Sequence, residues 1–223
     1  MFDFNQEDYQ KELASGPIPA GSKVMLRMLI QKPKHESKPG SFVAEYKSGL
    51  LALWVKFEVV HGTYEGVSWY ENLLLPVAWQ RAAMSDSQHK ACRISGSKLR
   101  AIVEAARGIN PKDKGMAANN ARHVHAVLDF DKMCFPARVG IDKEGREYKG
   151  KLFWNNTLGT VITPDKTDYQ TIVGGGEIIT DGPTHGETVR REGQGSDGVA
   201  GAYDDRFGGA AFPSESPDSD IPF

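Results

Sequence analysis

Residues 50–75 read LLALWVKFEVVHGTYEGVSWYENLLL, and this stretch decides the fold. Its first half places leucine, valine or phenylalanine at every second position from Leu51 to Val59, which is the pattern of a strand with one buried face. The segment HGTYEG (61–66) contains two glycines and predicts a hairpin turn. The second half, VSWYENLLL (67–75), reads as the partner strand. The stretch therefore predicts an antiparallel hairpin within a β-rich domain.

Further strands and one helix are predicted on both sides of this hairpin. The predicted strands are KVMLRMLIQK (23–32), HVHAVLDFD (123–131), FPARVGID (135–142) and YKGKLFWNNTLGTVI (148–162), with DKEGRE as a turn between the last two. The helix is SGSKLRAIVEAARG (95–108), because its apolar residues recur at helical spacing. Ser95 or Ser97 is expected to cap its start and Gly108 its end.

This order predicts a mainly β fold: a five-stranded OB-type Greek-key barrel with one helix between strands 3 and 4, plus a disordered C-terminal tail. Other small β-barrels fit the same order. The composition changes near residue 174, after which Gly, Ser, Pro and Asp dominate. We therefore expect an OB-type domain over residues 1–173 and a flexible, Gly-rich, acidic tail over residues 174–223. A short strand, EIIT (177–180), is expected to dock on the domain.

The net charge of −2 conceals an uneven distribution along the 223 residues. Residues 1–173 carry 24 Lys and Arg against 19 Asp and Glu, whereas residues 174–223 carry 3 against 10. A mildly basic body with an acidic tail is typical of nucleic-acid binders and their regulators.

The sequence favours a soluble, cytoplasmic protein without a cofactor or a metal ion. The two cysteines, Cys92 and Cys134, form no CxxC motif and predict neither a zinc site nor a disulfide framework. The first residues, MFDFNQEDYQKEL, are acidic and do not resemble a signal peptide. The apolar run GLLALWV (49–55) is too short to span a membrane. The sequence leaves a homo-oligomer open.

Aromatic and basic residues alternate with the buried positions and suggest a surface for single-stranded DNA. Trp54 and Lys56 share the outward face of the central strand, with Tyr70 across the hairpin, although Trp54 could instead pack under the helix or a loop. An exposed aromatic ring stacks on any base, and a neighbouring lysine binds phosphate. The loop 31–49 adds lysines and aromatics, or is an ordinary solvated loop. The predicted DNA contacts are Arg27, Lys32, Lys34, Tyr46, Lys47, Trp54, Lys56, Tyr70, Lys151 and Trp154.

Catalytic patterns are weak in comparison. HVH (123–125) has no further metal ligand at a recognisable spacing, and DFD (129–131) alone is a poor signal for a two-metal nuclease. GGG (174–176) lacks the GK[ST] of a phosphate-binding loop. We therefore expect a binding protein and not an enzyme.

The last six residues, DSDIPF (218–223), resemble the C-terminal tip of bacterial single-stranded-DNA-binding proteins, in which acidic residues precede Ile-Pro-Phe. Ser219 stands where an aspartate is often found. The resemblance implies that this tip recruits host or phage replication and recombination proteins. Its partner-binding residues would be Asp218, Asp220, Ile221, Pro222 and Phe223, with Phe223 entering an apolar pocket and the aspartates meeting a basic rim.

The body differs from those bacterial proteins and is similar to a family of phage-encoded single-stranded-DNA-binding proteins. The similarity covers roughly residues 20–165 and lies in the pattern of FEVVHGTYEGVSWYENLLL, SGSKLRAIVEAARG and ARVGIDKEGREYKGKLFWNNTLGTVI. It implies an OB fold that binds and protects single strands during phage DNA replication, recombination and repair in the host cytoplasm. Alternatives are a single-strand annealing recombinase or DNA-processing enzyme with the same tail, and an adaptor that does not bind DNA.

Overall fold

The computed structural model describes residues 17–184, except residues 35, 39, 47–48, 76–83, 143–144 and 149–150. For residues 146–148 and 151–153 only the backbone is described. The strands in this part of the chain are β1 (Lys23–Gln31), β2 (Val43–Glu45), β3 (Leu51–Val59), β4 (Ser68–Leu74), β5 (Cys134–Ile141), β6 (Arg146–Tyr148), β7 (Lys151–Phe153) and β8 (Asn156–Val161). The helices are α1 (Asp86–Ala106), α2 (Met116–Ala121) and α3 (Tyr169–Val173), with a 3₁₀ helix at Val127–Phe130. The fold is mainly β with few helices.

The long strands form an antiparallel sheet in the order β4-β3-β1-β5-β8. The short β2 pairs with the same edge of β3 as β1 does, just beyond the point where the β1 pairing ends. Strands β6 and β7 form a separate hairpin that lies between β5 and β8 in the sequence. Because β4 and β8 have no backbone pairing with each other among the described residues, the sheet is open in its hydrogen-bond ladder.

The central hairpin is confirmed in position, pairing and turn. Strand β3 pairs antiparallel with β4 from Ala52–Leu74 to Glu58–Ser68. The turn between them contains Gly62 and Gly66 at φ +98° and +83°, a conformation that costs glycine little and other residues more. Glycine at these two positions therefore lets the chain reverse where the sequence predicted.

Alternation along β3 separates a buried face from an outer face, as predicted. Leu53, Val55 and Phe57 are fully buried, whereas Trp54 and Lys56 between them are half-buried. The buried side chains meet those of β1, β5, β8 and α1 in one core. At its centre the ring of Phe57 lies 6.0 Å from that of Phe135 in an edge-to-face arrangement.

Helix α1 is longer than the sequence predicted. It begins at Asp86 and not near Ser95, because the Ser85 side chain accepts a hydrogen bond from the Gln88 backbone N–H and the Gln88 side-chain oxygen accepts one from the Ser85 backbone N–H. The expectation that Ser95 or Ser97 caps the helix is therefore wrong, since both lie inside it. Its end is as predicted, with Gly108 at φ +66° just beyond the last turn.

The predicted strand over residues 123–131 is also wrong. This segment is an extended link followed by the 3₁₀ helix, and the Asp129 carboxylate accepts hydrogen bonds from the N–H groups of His125 and Ala126. Val124 and Val127 are half-buried against the core and Phe130 is buried, so every third residue packs inward. This period of three belongs to a 3₁₀ helix and not to a strand.

The single strand predicted over residues 148–162 is divided in two. Strand β7 pairs only with β6, and after a short link β8 pairs with β5. The predicted turn is correspondingly shorter, because Arg146 and Glu147 belong to β6. Strand β5 itself is confirmed. The chain thus inserts a small hairpin where one strand was expected.

Residues 177–183 lie against the body, as expected for EIIT (177–180), but this segment forms a single bridge and not the predicted strand. Ile178 forms an antiparallel bridge with Lys23, and the Glu177 carboxylate accepts hydrogen bonds from Thr63 in the central hairpin turn. The rest of the predicted tail, residues 185–223, lies outside the described residues. In the part of the chain that the structure describes, no helix is both long and apolar enough to cross a membrane.

Side chains connect the two edge strands where the backbone does not. The Glu71 carboxylate of β4 accepts a hydrogen bond from the Leu158 N–H of β8. Lys98 of α1 donates to the Leu158 carbonyl at 2.8 Å, and its Nζ lies 3.7 Å from the Glu71 carboxylate. Trp69 donates its indole N–H to the same carboxylate at 3.1 Å. We call these four residues the β4–β8 seam.

Candidate nucleic-acid interface

The register of the sheet arranges the outward side chains of β1, β3 and β4 in three rows, which we call the outer face. The first row is Arg27, Glu58 and Ser68; the second is Leu29, Lys56 and Tyr70; the third is Gln31, Trp54 and Asn72. Successive rows are about 7 Å apart, since each is two residues along a strand from the next. Four predicted site residues, Arg27, Trp54, Lys56 and Tyr70, therefore lie within one patch.

Trp54 and Tyr70 form an aromatic pair on this face. They are diagonal neighbours across β3 and β4, with ring centroids 5.7 Å apart and planes tilted by 41°. Tyr70 exposes 55% of its surface, which is unusual for an aromatic side chain on a sheet. Because Trp54 is also partly exposed, each ring has surface available to a flat ligand.

Charged groups border the aromatic pair. The Arg27 guanidinium lies 3.1 Å from the Glu58 carboxylate, directly across β1 and β3. The Lys56 ammonium lies 3.9 Å from the same carboxylate. Arg27 Nε is buried without a hydrogen-bond partner among the described residues. One carboxylate thus holds two cations beside the aromatic pair, and the patch carries a net positive charge.

Helix α1 covers the sheet beyond the third row. The next outward pair, Ala52 and Leu74, is buried in a small cluster with Cys92 of α1. Tyr46 packs against this cluster, and its burial raises the pKa of the phenol. The structure therefore places Tyr46 beside α1 and outside the outer face.

The loop after β1 brings only part of its predicted site to the surface. Lys32 and Lys34 are exposed, and Lys32 pairs with Glu36 at 3.0 Å. That ion pair, with the Gly40 N–H, holds the pKa of the Glu36 carboxyl below its usual range. Phe42 packs against the core instead of standing among the lysines. Lys47 lies outside the described residues.

The remaining predicted residues lie elsewhere. Lys151 begins β7, where only the backbone is described, and Trp154 is half-buried in the link between β7 and β8. The predicted tip, residues 218–223, lies outside the described residues.

Leu29, Gln31 and Glu58 belong to the outer face but were not among the predicted contacts. Alternation within β1 already grouped Arg27, Leu29 and Gln31 on one side of the strand. For these β1 residues the missing information was the register of β1 against β3, which alternation within one strand does not provide. Glu58 shares a face with Trp54 and Lys56 by alternation within β3, but its role as an ion-pair partner of Arg27 follows only from that register.

The carboxylates considered for catalysis have structural contacts. Asp129 caps the 3₁₀ helix through two backbone N–H groups, which hold the pKa of its carboxyl below the usual range. Asp131 accepts a hydrogen bond from the Ile30 N–H. Among the residues that the structure describes, no group of three His, Cys, Asp or Glu side chains is placed to hold a metal ion.

No family model matches the chain, and no curated protein is similar to it. The arrangement of side chains on the outer face must therefore carry the functional argument. Chemically, that face offers one exposed and one half-buried ring for stacking and two cations for phosphate.

Proposed function

We propose that the protein binds single-stranded DNA without sequence preference and protects it during DNA replication, recombination and repair. The observation that carries this proposal is the Trp54–Tyr70 pair on an exposed sheet face beside Lys56 and Arg27. Stacking of a base on an aromatic side chain contributes about 1–3 kcal/mol and tolerates every base. The neighbouring cations would bind the phosphates between stacked bases.

The same face favours single strands over duplex. In a duplex the bases stack on each other, so a ring on a sheet surface reaches them only after they are unstacked. Proteins that read duplex usually place a helix or a two-stranded ribbon in the major groove, whereas the two rings here lie on the surface of a sheet.

The proposal includes closure of the sheet as an OB-type barrel. Its support is the strand order β4-β3-β1-β5-β8, with α1 between β4 and β5, and the β4–β8 seam that links the two edges. In such a barrel the exposed face of the central strands is a frequent site for oligonucleotides.

A second part of the proposal concerns residues 218–223, DSDIPF, as a contact for replication and recombination proteins of the host or phage. Its support is the resemblance to the tip of bacterial single-stranded-DNA-binding proteins and the acidic character of residues 174–223. On this view the body binds the nucleic acid and the tip binds the proteins.

The test is a titration of tryptophan fluorescence with a thymidine oligomer and with duplex of equal length at several salt concentrations. We expect saturable quenching on the single strand and much weaker binding to duplex. The logarithm of the affinity should fall with the logarithm of the salt concentration, with a slope of about −0.7 per phosphate neutralised. Equal binding to both forms, or no binding, would refute the proposal.

The same titration with a chain shortened after residue 215 separates the two parts of the proposal. We expect unchanged or slightly tighter DNA binding, because the removed residues are acidic and the proposal assigns the DNA contacts to the outer face. A clear loss of DNA affinity would assign residues 216–223 to the DNA site instead of to protein partners.

Glu58 should limit the affinity of the face, since it competes with phosphate for Arg27 and Lys56. We expect Glu58→Gln to tighten single-strand binding by about fivefold, equivalent to about 1 kcal/mol. The salt slope should steepen by about 0.7, because a cation released from Glu58 can neutralise one more phosphate.

A matched control for this variant is Asp181→Asn, which makes the same charge change at an exposed position in the segment docked by Ile178. It should leave the affinity within twofold of the original. Weaker binding by Glu58→Gln would contradict competition and show that Glu58 positions Arg27 for the ligand.

A further inference from the structure

A shallow groove of about 440 Å³ runs between α1 and β8, on the side of α1 away from its buried residues. It is lined by Lys90, Arg93, Ile94, Ser97, Lys98 and Ala101 of α1 and by residues 159–161. These α1 residues recur at spacings of three and four, so they form one face of the helix. Ile94 is exposed to 39% and gives the groove an apolar patch between its cations.

The charge of this groove is positive. Lys90 and Arg93 are exposed, whereas Lys98 is half-buried, donates to the Leu158 carbonyl and pairs with Glu71 at 3.7 Å. No acidic side chain is among the described residues that line the groove. A groove whose described lining has two exposed cations, a third cation paired beneath the helix with Glu71, and no carboxylate suits a polyanion and disfavours a second copy of the same surface.

Helix α1, which forms one wall of the groove, also borders the outer face. The sheet beyond Trp54 and Asn72 is covered by α1, because Ala52 and Leu74 pack against Cys92. Lys90 and Arg93 flank Cys92 in sequence on the exposed side of the helix. At the other end, Lys98 pairs with Glu71, whose side chain lies on the face of β4 opposite Tyr70 and Asn72. A ligand that passes the third row of the outer face therefore reaches α1 first near Cys92, where Lys90 and Arg93 stand.

We infer that single-stranded nucleic acid bound on the outer face continues along α1, with its phosphate backbone in the groove between α1 and β8. This inference rests on the proposed function and adds a second, purely phosphate-binding segment to the site. From Lys90 to Lys98 the helix rises about 12 Å, at about 1.5 Å per residue. That length accommodates about two or three phosphates at the spacing of about 3.4 Å or more along a strand.

The test compares two oligomer lengths with one charge-reversal pair. The double variant Lys90→Glu with Arg93→Glu is measured against thymidine oligomers of about 5 and about 15 nucleotides, within the range of site sizes of OB-type domains. We expect at least tenfold weaker binding of the long oligomer and a change under twofold for the short one, which occupies only the aromatic pair. The salt slope on the long oligomer should become shallower by about 1.4, for two phosphates lost.

The matched control is Lys112→Glu with Lys114→Glu, which makes the same charge change at two exposed residues between α1 and α2. It should weaken binding of either oligomer by less than threefold. Far-UV circular dichroism and thermal unfolding are the controls that both pairs of exposed substitutions leave the fold intact.

Each outcome has one meaning. Equal losses on both oligomers, or a loss on the long one that the control pair reproduces, would overturn the second segment while leaving the proposed function intact. Failure of the unsubstituted protein to bind either oligomer would refute the proposed function, and the groove would fall with it. Repeating the measurement on proteins that lack residues 185–223 separates two occupants of the groove. If the double variant then binds the long oligomer as well as the unsubstituted protein does, the groove belongs to that acidic segment. If the double variant still binds more weakly, the result supports nucleic acid in the groove.

Discussion

Trp54→Ala should weaken binding of single-stranded DNA by about tenfold or more, with little change in the stability of the fold. The expected loss follows from the stacking energy of about 1–3 kcal/mol per base, where about 1.4 kcal/mol corresponds to a factor of ten. The fold should survive because Trp54 lies on the outer face, opposite the fully buried Leu53 and Val55. Fluorescence anisotropy of a labelled thymidine oligomer measures the affinity, and thermal unfolding measures the stability.

Two further variants locate the effect in the ring. Trp54→Phe retains an aromatic face and should keep most of the affinity. Met116→Ala removes an exposed apolar side chain on α2 and should leave the affinity unchanged. An equal loss for Trp54→Ala and Trp54→Phe would mean that the indole is needed for something other than stacking.

Tyr70 and Trp54 should behave as one unit in a double-mutant cycle. Their rings are 5.7 Å apart, so removing either changes the surface that the other presents. Contacting residues usually give coupling energies of about 0.5–3 kcal/mol. The double variant should therefore lose less than the sum of the two single losses. Strict additivity would indicate two separate binding positions for bases.

The parts of the fold that sequence predicted well are those in which one local pattern decides the structure. The hairpin of β3 and β4 follows from alternation on both sides of two glycines that adopt positive φ. Apolar and polar residues also alternate in the segment 123–131, but contacts between one side chain and the nearby backbone determine its structure. The Asp129 carboxylate accepts hydrogen bonds from two backbone N–H groups and stabilises the start of a 3₁₀ helix.

Other parts depended on information that apolar periodicity does not contain. The first half of α1 has few buried residues, so its start is marked only by the reciprocal hydrogen bonds of Ser85 and Gln88. The residues of the candidate site were likewise predicted only in part from local patterns. Trp54, Lys56 and Tyr70 were grouped from one hairpin, whereas their relation to Arg27 required the β1–β3 register.

The second large effect is expected at the β4–β8 seam, where Glu71 is nearly enclosed. Burial raises the pKa of the Glu71 carboxyl, and nearby Asp142 acts in the same direction. The Lys98 ammonium and the N–H groups of Leu158 and Trp69 oppose this shift and do not cancel it. The native protein therefore holds a proton at Glu71 more tightly than the unfolded chain does.

The sign of the pH dependence follows from this shift. Because the folded pKa lies above the unfolded value, the contribution of Glu71 to stability falls as the pH rises from about 4.5 through the folded pKa. Carboxyls whose pKa is lowered, such as those of Asp129 and Asp165, act in the opposite direction. The difference between native protein and a Glu71 variant, measured by urea unfolding from pH 4 to 8, isolates the single group.

Glu71→Ala and Glu71→Gln should then differ sharply at neutral pH. Alanine leaves the N–H groups of Leu158 and Trp69 without their acceptor and Lys98 without its counter-charge, so we expect a loss of about 2–4 kcal/mol. Glutamine also removes the counter-charge of Lys98, but Lys98 is partly exposed and keeps the Leu158 carbonyl as a partner. Glutamine keeps an oxygen for both N–H groups and carries no charge to desolvate. Glu71→Gln should therefore stay within about 1 kcal/mol of the native stability and lose the pH dependence assigned to this carboxyl.

These two variants also test how the seam supports the outer face, since Glu71 lies between Tyr70 and Asn72 on β4. If the seam holds β4 in place, Glu71→Ala should weaken single-strand binding under conditions where the protein is still folded, and Glu71→Gln should not. Unchanged binding by a folded Glu71→Ala protein would show that pairing with β3 holds β4, and with it Tyr70, in place without the seam. A native pH slope in Glu71→Gln would assign that slope to other carboxyls. The seam therefore matters to function only if Glu71→Ala lowers both the stability of the fold and the affinity for single-stranded DNA.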